Sequence, residues 1–167
     1  MKLRPTFRYA RVADIPLEQL KTSGVRLVLL DLDNTVAPWH SAEVPPSVAA
    51  WVENAKSDGL AVALLTNSRG KTADAVGQAL AVPVFKDAKK PFRRTAKALL
   101  KHLDVSVESV CFVGDQLFTD IRLAGALGAQ SVLVDPLSSR EWWCTRLFNR
   151  TRERLIWRFV FPGEKKR

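Results

Sequence analysis

Short apolar runs that alternate with helix-like stretches are the feature of this sequence that most restricts its fold. Five strand-like runs are separated by segments with helix start and stop signals, such as Pro45-Pro46 and Gly59. The predicted strands are residues 26–30, 60–65, 82–85, 110–113 and 131–134. The predicted helices are residues 45–56, 72–80, 91–103, 119–127 and 139–161. Because strict strand–helix alternation favours right-handed crossovers, the sequence predicts an α/β fold with a doubly wound parallel sheet.

Composition narrows the class of protein further. A chain of 167 residues, 47% apolar and 26% charged, suits one compact domain with its own core. Its two cysteines, Cys111 and Cys144, are too few for a disulfide framework and indicate a reducing compartment. The apolar runs fall far short of the ~20 residues that cross a bilayer. We therefore expect neither a membrane-spanning protein nor a secreted one.

The positive charge of the chain is concentrated near its end. Residues 138–167 hold nine basic and three acidic residues, net +6, of the total charge of +9. This difference predicts two parts, an α/β unit over residues 1–137 and a basic, Trp-rich helical extension over residues 138–167. A helix rich in arginine and tryptophan is typical of an anionic membrane surface. Packing of its aromatic residues on the sheet, or stacking on nucleic acid, are the alternatives.

Acidic residues follow two of the predicted strands. Asp31 and Asp33 come after the first strand, and Asp115 and Asp120 come after the fourth. In a doubly wound sheet these strands are neighbours, and their carboxyl ends line the crevice where ligands bind. Clustered carboxylates repel one another unless a hard cation neutralises them, and oxygen-only ligation is typical of Mg²⁺. The sequence therefore predicts a metal site at this edge.

Two further elements add phosphate-binding groups at the same edge. Thr66 and Asn67 follow the second strand and offer a hydroxyl and backbone N–H groups, and Lys90 precedes Pro91 at a predicted helix start. Carboxylates, Mg²⁺, a hydroxyl and a lysine are the parts of a phosphoryl-transfer site. Each residue also has an ordinary interpretation: the aspartates solvate turns, Thr66 caps a helix, and Lys90 is one of several solvated basic residues.

The order Asp-x-Asp-x-Thr, Thr, Lys, Gly-Asp-x-x-x-x-Asp resembles the motif series of the haloacid dehalogenase (HAD) superfamily of phosphatases. The resemblance implies that Asp31 is the nucleophile that forms an aspartyl-phosphate, and that Asp33 is first the general acid and then the base. It implies that the phosphoryl oxygens are held by Thr66, Asn67 and Lys90. It also implies that Mg²⁺ is bound by Asp31, the Asp33 backbone carbonyl, Asp115 and Asp120.

A finer resemblance covers almost the whole chain. The stretches DLDNT at residues 31–35 and GDQLFTD at residues 114–120, with Trp39 and Lys90-Pro91, resemble the YqeG-type HAD IIIA phosphatases. These are similar to the phosphatidylglycerophosphate (PGP) phosphatases of mitochondria and plastids. The resemblance implies PGP as the substrate. Because it begins within the first few residues, we expect no transit peptide and a cytoplasmic protein, peripheral on the inner face of the membrane.

The spacing of the motifs bears on the substrate. The stretches from Thr35 to Thr66 and from Thr66 to Lys90 are each just long enough for one helix and one strand. The sequence therefore predicts a capless enzyme whose open site suits a phosphate on a larger partner, such as a lipid headgroup. Two alternatives stay open: a phosphatase of a soluble sugar or nucleotide phosphate, and a basic RNA- or protein-binding module with a vestigial site.

Overall fold

A six-stranded parallel sheet forms the centre of the computed structural model, which describes residues 3–138. The strands are β1 (Phe7–Tyr9), β2 (Leu27–Leu30), β3 (Ala61–Leu65), β4 (Val84–Phe85), β5 (Val110–Gly114) and β6 (Gln130–Val134). They lie in the order β1-β6-β5-β2-β3-β4, and every pair is parallel. This order confirms the predicted α/β fold and makes β2 and β5 neighbours.

The helices connect successive strands. They are α1 (Leu17–Thr22), α2 (Pro46–Ser57), α3 (Lys71–Leu80), α4 (Arg93–His102) and α5 (Arg122–Leu127). Short 3-10 helices cover Val12–Asp14 and Val107–Ser109, and a π-helix covers Leu117–Ile121. Pro46 stands at the first position of α2, and Gly128 ends α5 with a φ of +84°. Pro46 acts as the sequence predicted, because proline suits a helix start, and Gly128 suits a helix end because glycine tolerates positive φ.

Residues of the central strand alternate between two hydrophobic cores. Val28 and Leu30 belong to the core that includes α1, α2 and α3, whereas Leu27 and Leu29 face the core that includes α4 and α5. All four residues are buried, as expected for a parallel strand covered on both faces. The two cores hold the sheet from both sides and leave its carboxyl edge to carry polar residues.

Several boundaries differ from the sequence prediction. Strand β1 and helix α1 were not predicted, because three alternately polar residues and a six-residue helix carry little periodic signal. The third predicted strand, residues 82–85, corresponds to β4, which has only two residues. The helix expected from Pro91 begins at Arg93. The predicted helix 119–127 is divided into the π-helix and α5.

No domain is inserted between the motif-bearing strands within the described part of the chain. One helix, α2, connects β2 to β3, and one helix, α3, connects β3 to β4. Among residues 3–138, no helix has the length and apolar character needed to cross a bilayer. Cys111 is buried in the core, and burial raises the pKa of its thiol to about 12. The predicted helix 139–161 and Cys144 lie outside the described residues.

Candidate active site

The register of the two central strands brings Asp31 and Asp115 to the same edge of the sheet. Leu30 pairs with Val113, and the Asp31 backbone N–H donates to the Val113 carbonyl oxygen at 2.8 Å. Asp31 and Asp115 are the residues that follow β2 and β5. Their proximity therefore comes from ordinary parallel pairing, as the sequence analysis predicted.

Three carboxylates form one buried group at this edge. Asp31, Asp115 and Asp120 each offer an oxygen, and these oxygens lie within 4.8 Å of one another. The three residues are 9%, 8% and 2% exposed. The Asp33 carboxylate does not belong to the group. The ligand that the family resemblance implies for Asp33 is its backbone carbonyl, so the prediction does not require its side chain here.

The position of Asp120 depends on a glycine that the sequence analysis did not single out. A Cβ placed on Gly114 would lie 2.3 Å from the Asp120 carboxyl carbon, so this site has room for glycine alone. Asp120 lies in the π-helix and accepts hydrogen bonds from the Gln116 backbone N–H at 3.3 Å and the Thr119 hydroxyl at 3.2 Å. The sequence feature that could have indicated this contact is the glycine that precedes Asp115 in the stretch GDQLFTD.

Lys90 lies between two of the three carboxylates. Its Nζ is 2.5 Å from an Asp31 oxygen and 2.7 Å from an Asp120 oxygen, and its side chain is 3% exposed. The expectation that Lys90 stands at a helix start is wrong, since α4 begins three residues later at Arg93. Lys90 is instead held by the carboxylates of Asp31, which follows β2, and of Asp120, which lies in the π-helix.

Burial and the attraction between Asp31 and Lys90 act in opposite directions on the pKa values of these two residues. Burial, opposed by the Lys90 charge and aided by the Asp120 charge, raises the pKa of Asp31 to about 7. Burial lowers the pKa of Lys90, but Asp120 and Asp31 outweigh it and leave that pKa above its ordinary value. The site thus holds a cationic lysine among carboxyl groups that outnumber it.

Asn67 positions the backbone of Lys90. The Lys90 N–H donates to Asn67 Oδ1 at 2.7 Å, and Asn67 Nδ2 donates to the Lys90 carbonyl oxygen at 3.1 Å. The side-chain amide is therefore engaged, and a contact between Asn67 and phosphate would come from its backbone N–H. Thr66 is buried, and its Oγ1 accepts a bond from the Ser68 N–H at 3.0 Å, so the hydroxyl proton stays available as a donor.

Asp33 follows Asp31 by two residues in the loop after β2. It is half-buried, and its Oδ1 accepts a hydrogen bond from the His40 backbone N–H at 3.2 Å. Between them the chain turns at Asn34, whose φ of +61° is a conformation that asparagine tolerates. The Asn34 side-chain oxygen accepts a bond from the Trp39 N–H at 3.3 Å. The loop thus holds Asp33 outside the group of three buried carboxylates.

The three buried carboxylates are a suitable donor set for a divalent cation. They offer only oxygen atoms, which is the ligation that Mg²⁺ takes in proteins. Lys90 supplies one positive charge to three carboxyl groups, so a further cation would balance the group. Asp31, Asp115 and Asp120 are therefore the residues that fit a metal ion.

Comparison with known proteins shows similarity to one family of phosphatases. The family model described as mitochondrial PGP phosphatase matches residues 2–137. The chain is 30% identical to the "Probable phosphatase YqeG" of Bacillus subtilis over 139 residues, which cover 83% of this chain and 80% of that protein. It is 30% identical over 161 residues to phosphatidylglycerophosphate phosphatase 1 of Arabidopsis thaliana, where the match covers 90% of this chain but only 46% of the plant protein.

A solved structure shares the fold. The 3-deoxy-D-manno-octulosonate 8-phosphate phosphatase of Moraxella catarrhalis, determined with magnesium and phosphate ions, superposes with a TM-score of 0.52 at 13% identity. The superposition covers 69% of this chain and 80% of that one. From the family match and the bacterial relative together, the chain belongs to the PGP phosphatase family and is a phosphatase.

Proposed function

We propose that this protein is an Mg²⁺-dependent phosphomonoesterase that dephosphorylates phosphatidylglycerophosphate through an aspartyl-phosphate on Asp31. The observation that carries the proposal is the buried cluster of Asp31, Asp115, Asp120 and Lys90 at the carboxyl edge of the sheet, in a chain of the PGP phosphatase family. A nucleophilic carboxylate beside a lysine and two further carboxylates suits in-line transfer of a phosphoryl group.

The metal would be held by Asp31, Asp115 and Asp120, together with the Asp33 backbone carbonyl. When bound, Mg²⁺ supplies positive charge to the phosphoryl oxygens and orients the phosphate for displacement. Support for magnesium comes from the oxygen-only donor set and from the magnesium ion in the Moraxella catarrhalis structure.

In the first step, an Asp31 carboxylate oxygen attacks phosphorus and the bond from phosphorus to the ester oxygen breaks. Asp33 gives its proton to the departing alkoxide, which leaves as an alcohol. In the second step, Asp33 takes a proton from water, the water oxygen attacks the phosphorus of the aspartyl-phosphate, and the bond to Asp31 breaks. Inorganic phosphate leaves, and both carboxyl groups return to their starting states.

The remaining residues hold the phosphoryl group. Lys90 already lies within hydrogen-bond distance of Asp31, so its ammonium would meet the oxygens of a phosphate brought to that carboxylate. The Thr66 hydroxyl donates a hydrogen bond to the same group, and the Asn67 backbone N–H provides another donor. These contacts orient phosphorus for attack and offset the negative charge of the transition state.

The open site favours a substrate larger than a sugar. Helix α2 and helix α3 are all that separates the motif strands in the described chain, so no inserted domain closes over the phosphate. The Arabidopsis thaliana relative is named as a phosphatidylglycerophosphate phosphatase. Because the match covers less than half of that protein, the lipid substrate is a proposal for this chain and needs its own test.

Phosphate release by the full-length protein with Mg²⁺ provides that test. PGP in mixed micelles should give the highest kcat/KM in a panel that also contains a sugar phosphate, a nucleotide and an aryl phosphate. The Asp31→Asn variant, purified in the same way, controls for contaminating phosphatases. A higher kcat/KM for the sugar phosphate or the nucleotide would contradict the lipid assignment.

The role of Asp33 can be tested by the choice of leaving group. Asp33→Asn should slow hydrolysis of PGP, an alkyl ester, by about 10²–10⁴-fold, because a general acid contributes that much when the leaving group is a poor one. Hydrolysis of an activated aryl phosphate should fall far less. Equal losses on the two substrates would exclude Asp33 as the acid.

The chain divides in this proposal into two functional parts. Residues 1–137 carry the phosphatase chemistry, and the basic residues of 138–167 attract the protein to anionic lipid. A net charge of +6 supports reversible attraction, at about 1 kcal/mol for each basic residue near an anionic leaflet. Sedimentation with phosphatidylglycerol vesicles should therefore decrease steeply with salt, since surface charges are screened over ~8 Å at physiological ionic strength. Binding that does not change with salt would contradict this role.

A further inference from the structure

The most exposed large apolar side chain of residues 3–138 lies beside the active site. Phe92 is 72% exposed, and Leu103, at the other end of α4, is the only other exposed large apolar residue in this range, at 37%. Phe92 precedes the first residue of α4 and follows Lys90 by two positions, a span of at most ~7 Å.

The residues around Phe92 are basic. Residues 88–103 contain six lysines and arginines and no aspartate or glutamate. The four basic residues of α4 are exposed, and within the described chain none of them forms an ion pair; they are Arg93, Arg94, Lys97 and Lys101. By contrast, the nearby basic residues Arg69 and Lys86 are paired with Asp87 and Asp74. Lys89 and Lys90, which precede α4, are paired with carboxylates.

The direction of α4 determines which of these cations are near the active site. In a doubly wound fold the helices run antiparallel to the strands, so the first turn of α4 lies at the carboxyl edge of the sheet. This rule puts the start of α4, with Arg93 and Arg94, toward the rim that holds Asp31 and Lys90; the Arg93 guanidinium also donates to the Ala126 carbonyl oxygen in α5 at 3.4 Å. Lys101 and Leu103 lie at the far end, because Arg94 and Lys101 are roughly 10 Å apart along the helix axis.

The basic C-terminal segment also begins at this rim. The Leu137 backbone N–H donates to the Asn34 carbonyl oxygen at 2.9 Å, and the Ser138 hydroxyl donates to Asn34 Oδ1 at 2.6 Å. Asn34 belongs to the loop between Asp33 and Trp39. The chain that leads into the net +6 segment therefore starts beside the nucleophile, on the edge that carries Phe92.

We infer that Phe92, Arg93 and Arg94 form a docking face for an anionic lipid bilayer, which presents the open active site to the headgroup of a lipid phosphate. The ring enters the interfacial region, and the two guanidinium groups contact lipid phosphates, which is the pairing of aromatic and basic residues that membrane surfaces select. The inference rests on the proposed lipid substrate and adds the surface through which that substrate is reached.

Two variants and two matched controls test the docking face in the full-length protein. Phe92→Ser and Arg94→Glu alter the face, whereas Leu103→Ser and Lys101→Glu make the same chemical changes at the far end of α4. All four proteins keep residues 138–167 unchanged, so differences among them report α4 alone. The probes are vesicles of phosphatidylcholine and phosphatidylglycerol, with and without PGP, and a soluble aryl phosphate.

Both face variants should sediment with the phosphatidylglycerol vesicles about tenfold more weakly than the wild type, because each loses an interfacial contact. On vesicles that contain PGP, the KM for lipid should rise by about the same factor with kcat unchanged. Both controls should match the wild type in binding and turnover, and all four should hydrolyse the aryl phosphate within about twofold of the wild type.

Face variants that match the controls in vesicle binding and lipid turnover would overturn the inference. A Phe92→Ser effect on oligomeric state instead, measured by analytical ultracentrifugation, would also overturn it and identify a second copy of the chain as the occupant. If the wild type binds vesicles through Phe92 and Arg94 but does not hydrolyse PGP, the docking face is supported and the substrate proposal alone fails.

Discussion

The nucleophile loop, residues 31–41, and the lysine loop, residues 86–92, are positioned in different ways. The nucleophile loop follows the central strand β2 and is held mainly by short-range backbone bonds, such as those from Val36 and Ala37 to the Leu32 carbonyl oxygen at 3.0 and 3.1 Å. The lysine loop follows β4, a strand of two residues at the edge of the sheet. Its functional residue is held by side chains from elsewhere in the chain.

This difference shows which parts of the sequence determine the position of each catalytic residue. Asp31 occupies its position because a buried strand ends there, and the strand is determined by its own sequence and by its neighbours in the sheet. Lys90 occupies its position because Asn67 binds its backbone and two carboxylates bind its ammonium. We therefore expect the nucleophile to be robust to distant changes and the lysine to be sensitive to them.

The largest effect is expected for Asp31→Asn. An amide oxygen cannot act as the nucleophile, so kcat for an aryl phosphate should fall by about 10⁴-fold or more. Thermal unfolding should show a folded protein, since Lys90 keeps its ion pair with Asp120. Asp104→Asn, the same change on an exposed turn, should leave kcat unaltered. Activity above a few per cent of wild type in Asp31→Asn would identify a different nucleophile.

Gly114→Ala should have the next largest effect. The new methyl group would lie 2.3 Å from the Asp120 carboxyl carbon, so Asp120 and its partner Lys90 must move. A displacement of about 1 Å in a catalytic site costs roughly 10²-fold in rate, and crowding of this kind costs about 1–3 kcal/mol in stability. Steady-state kinetics and thermal unfolding measure the two losses.

Gly70→Ala is the matched control for that substitution. A Cβ on Gly70 makes only ordinary contacts, with the Ser68 hydroxyl oxygen at 3.7 Å, although Gly70 caps α3. Because alanine is a poorer helix N-cap than glycine, the variant should lose up to about 1 kcal/mol of stability. Its kcat should not change. Equal kinetic losses in the two variants would show that Asp120 does not depend on the missing side chain at position 114.

Asn67→Ala tests the lysine loop directly. The variant loses both hydrogen bonds to the Lys90 backbone, so the lysine should no longer be held beside Asp31. We expect kcat to fall about tenfold or more, with a stability loss of about 1–3 kcal/mol for the unsatisfied backbone groups. Asn54→Ala, the same truncation on the exposed face of α2, should change neither quantity appreciably.

The smallest effect is expected for Arg69→Ala, which also removes a contact to the lysine loop. Arg69 and Asp87 form an ion pair at 3.0 Å, but their side chains are 76% and 42% exposed. Such pairs contribute about 0–1 kcal/mol, so activity should stay within about twofold of wild type. A loss as large as that of Asn67→Ala would mean that the surface pair, rather than the amide contact, positions the loop.

Much of the fold could be predicted from local sequence. The strand preceding Asp31 and the strand preceding Asp115 are short apolar runs, and Gly128 and Pro46 mark helix ends, because these signals act within a few residues. Strand β1 could not be predicted, since its three residues form a strand only by pairing with β6. The boundary of α4 at Arg93 was likewise not visible in the sequence pattern.

The sequence by itself therefore determined which strand ends carry acids, a hydroxyl and a lysine, and through strand order it brought Asp31 and Asp115 together. Only the tertiary structure decided that Asp120 joins them over Gly114, that Asp33 stays outside the group, and that Asn67 holds Lys90. The physical reason is the distance along the sequence over which each interaction acts. Strand periodicity and turn preferences act between neighbours in sequence, whereas a buried ion pair forms only after distant segments have packed and excluded water.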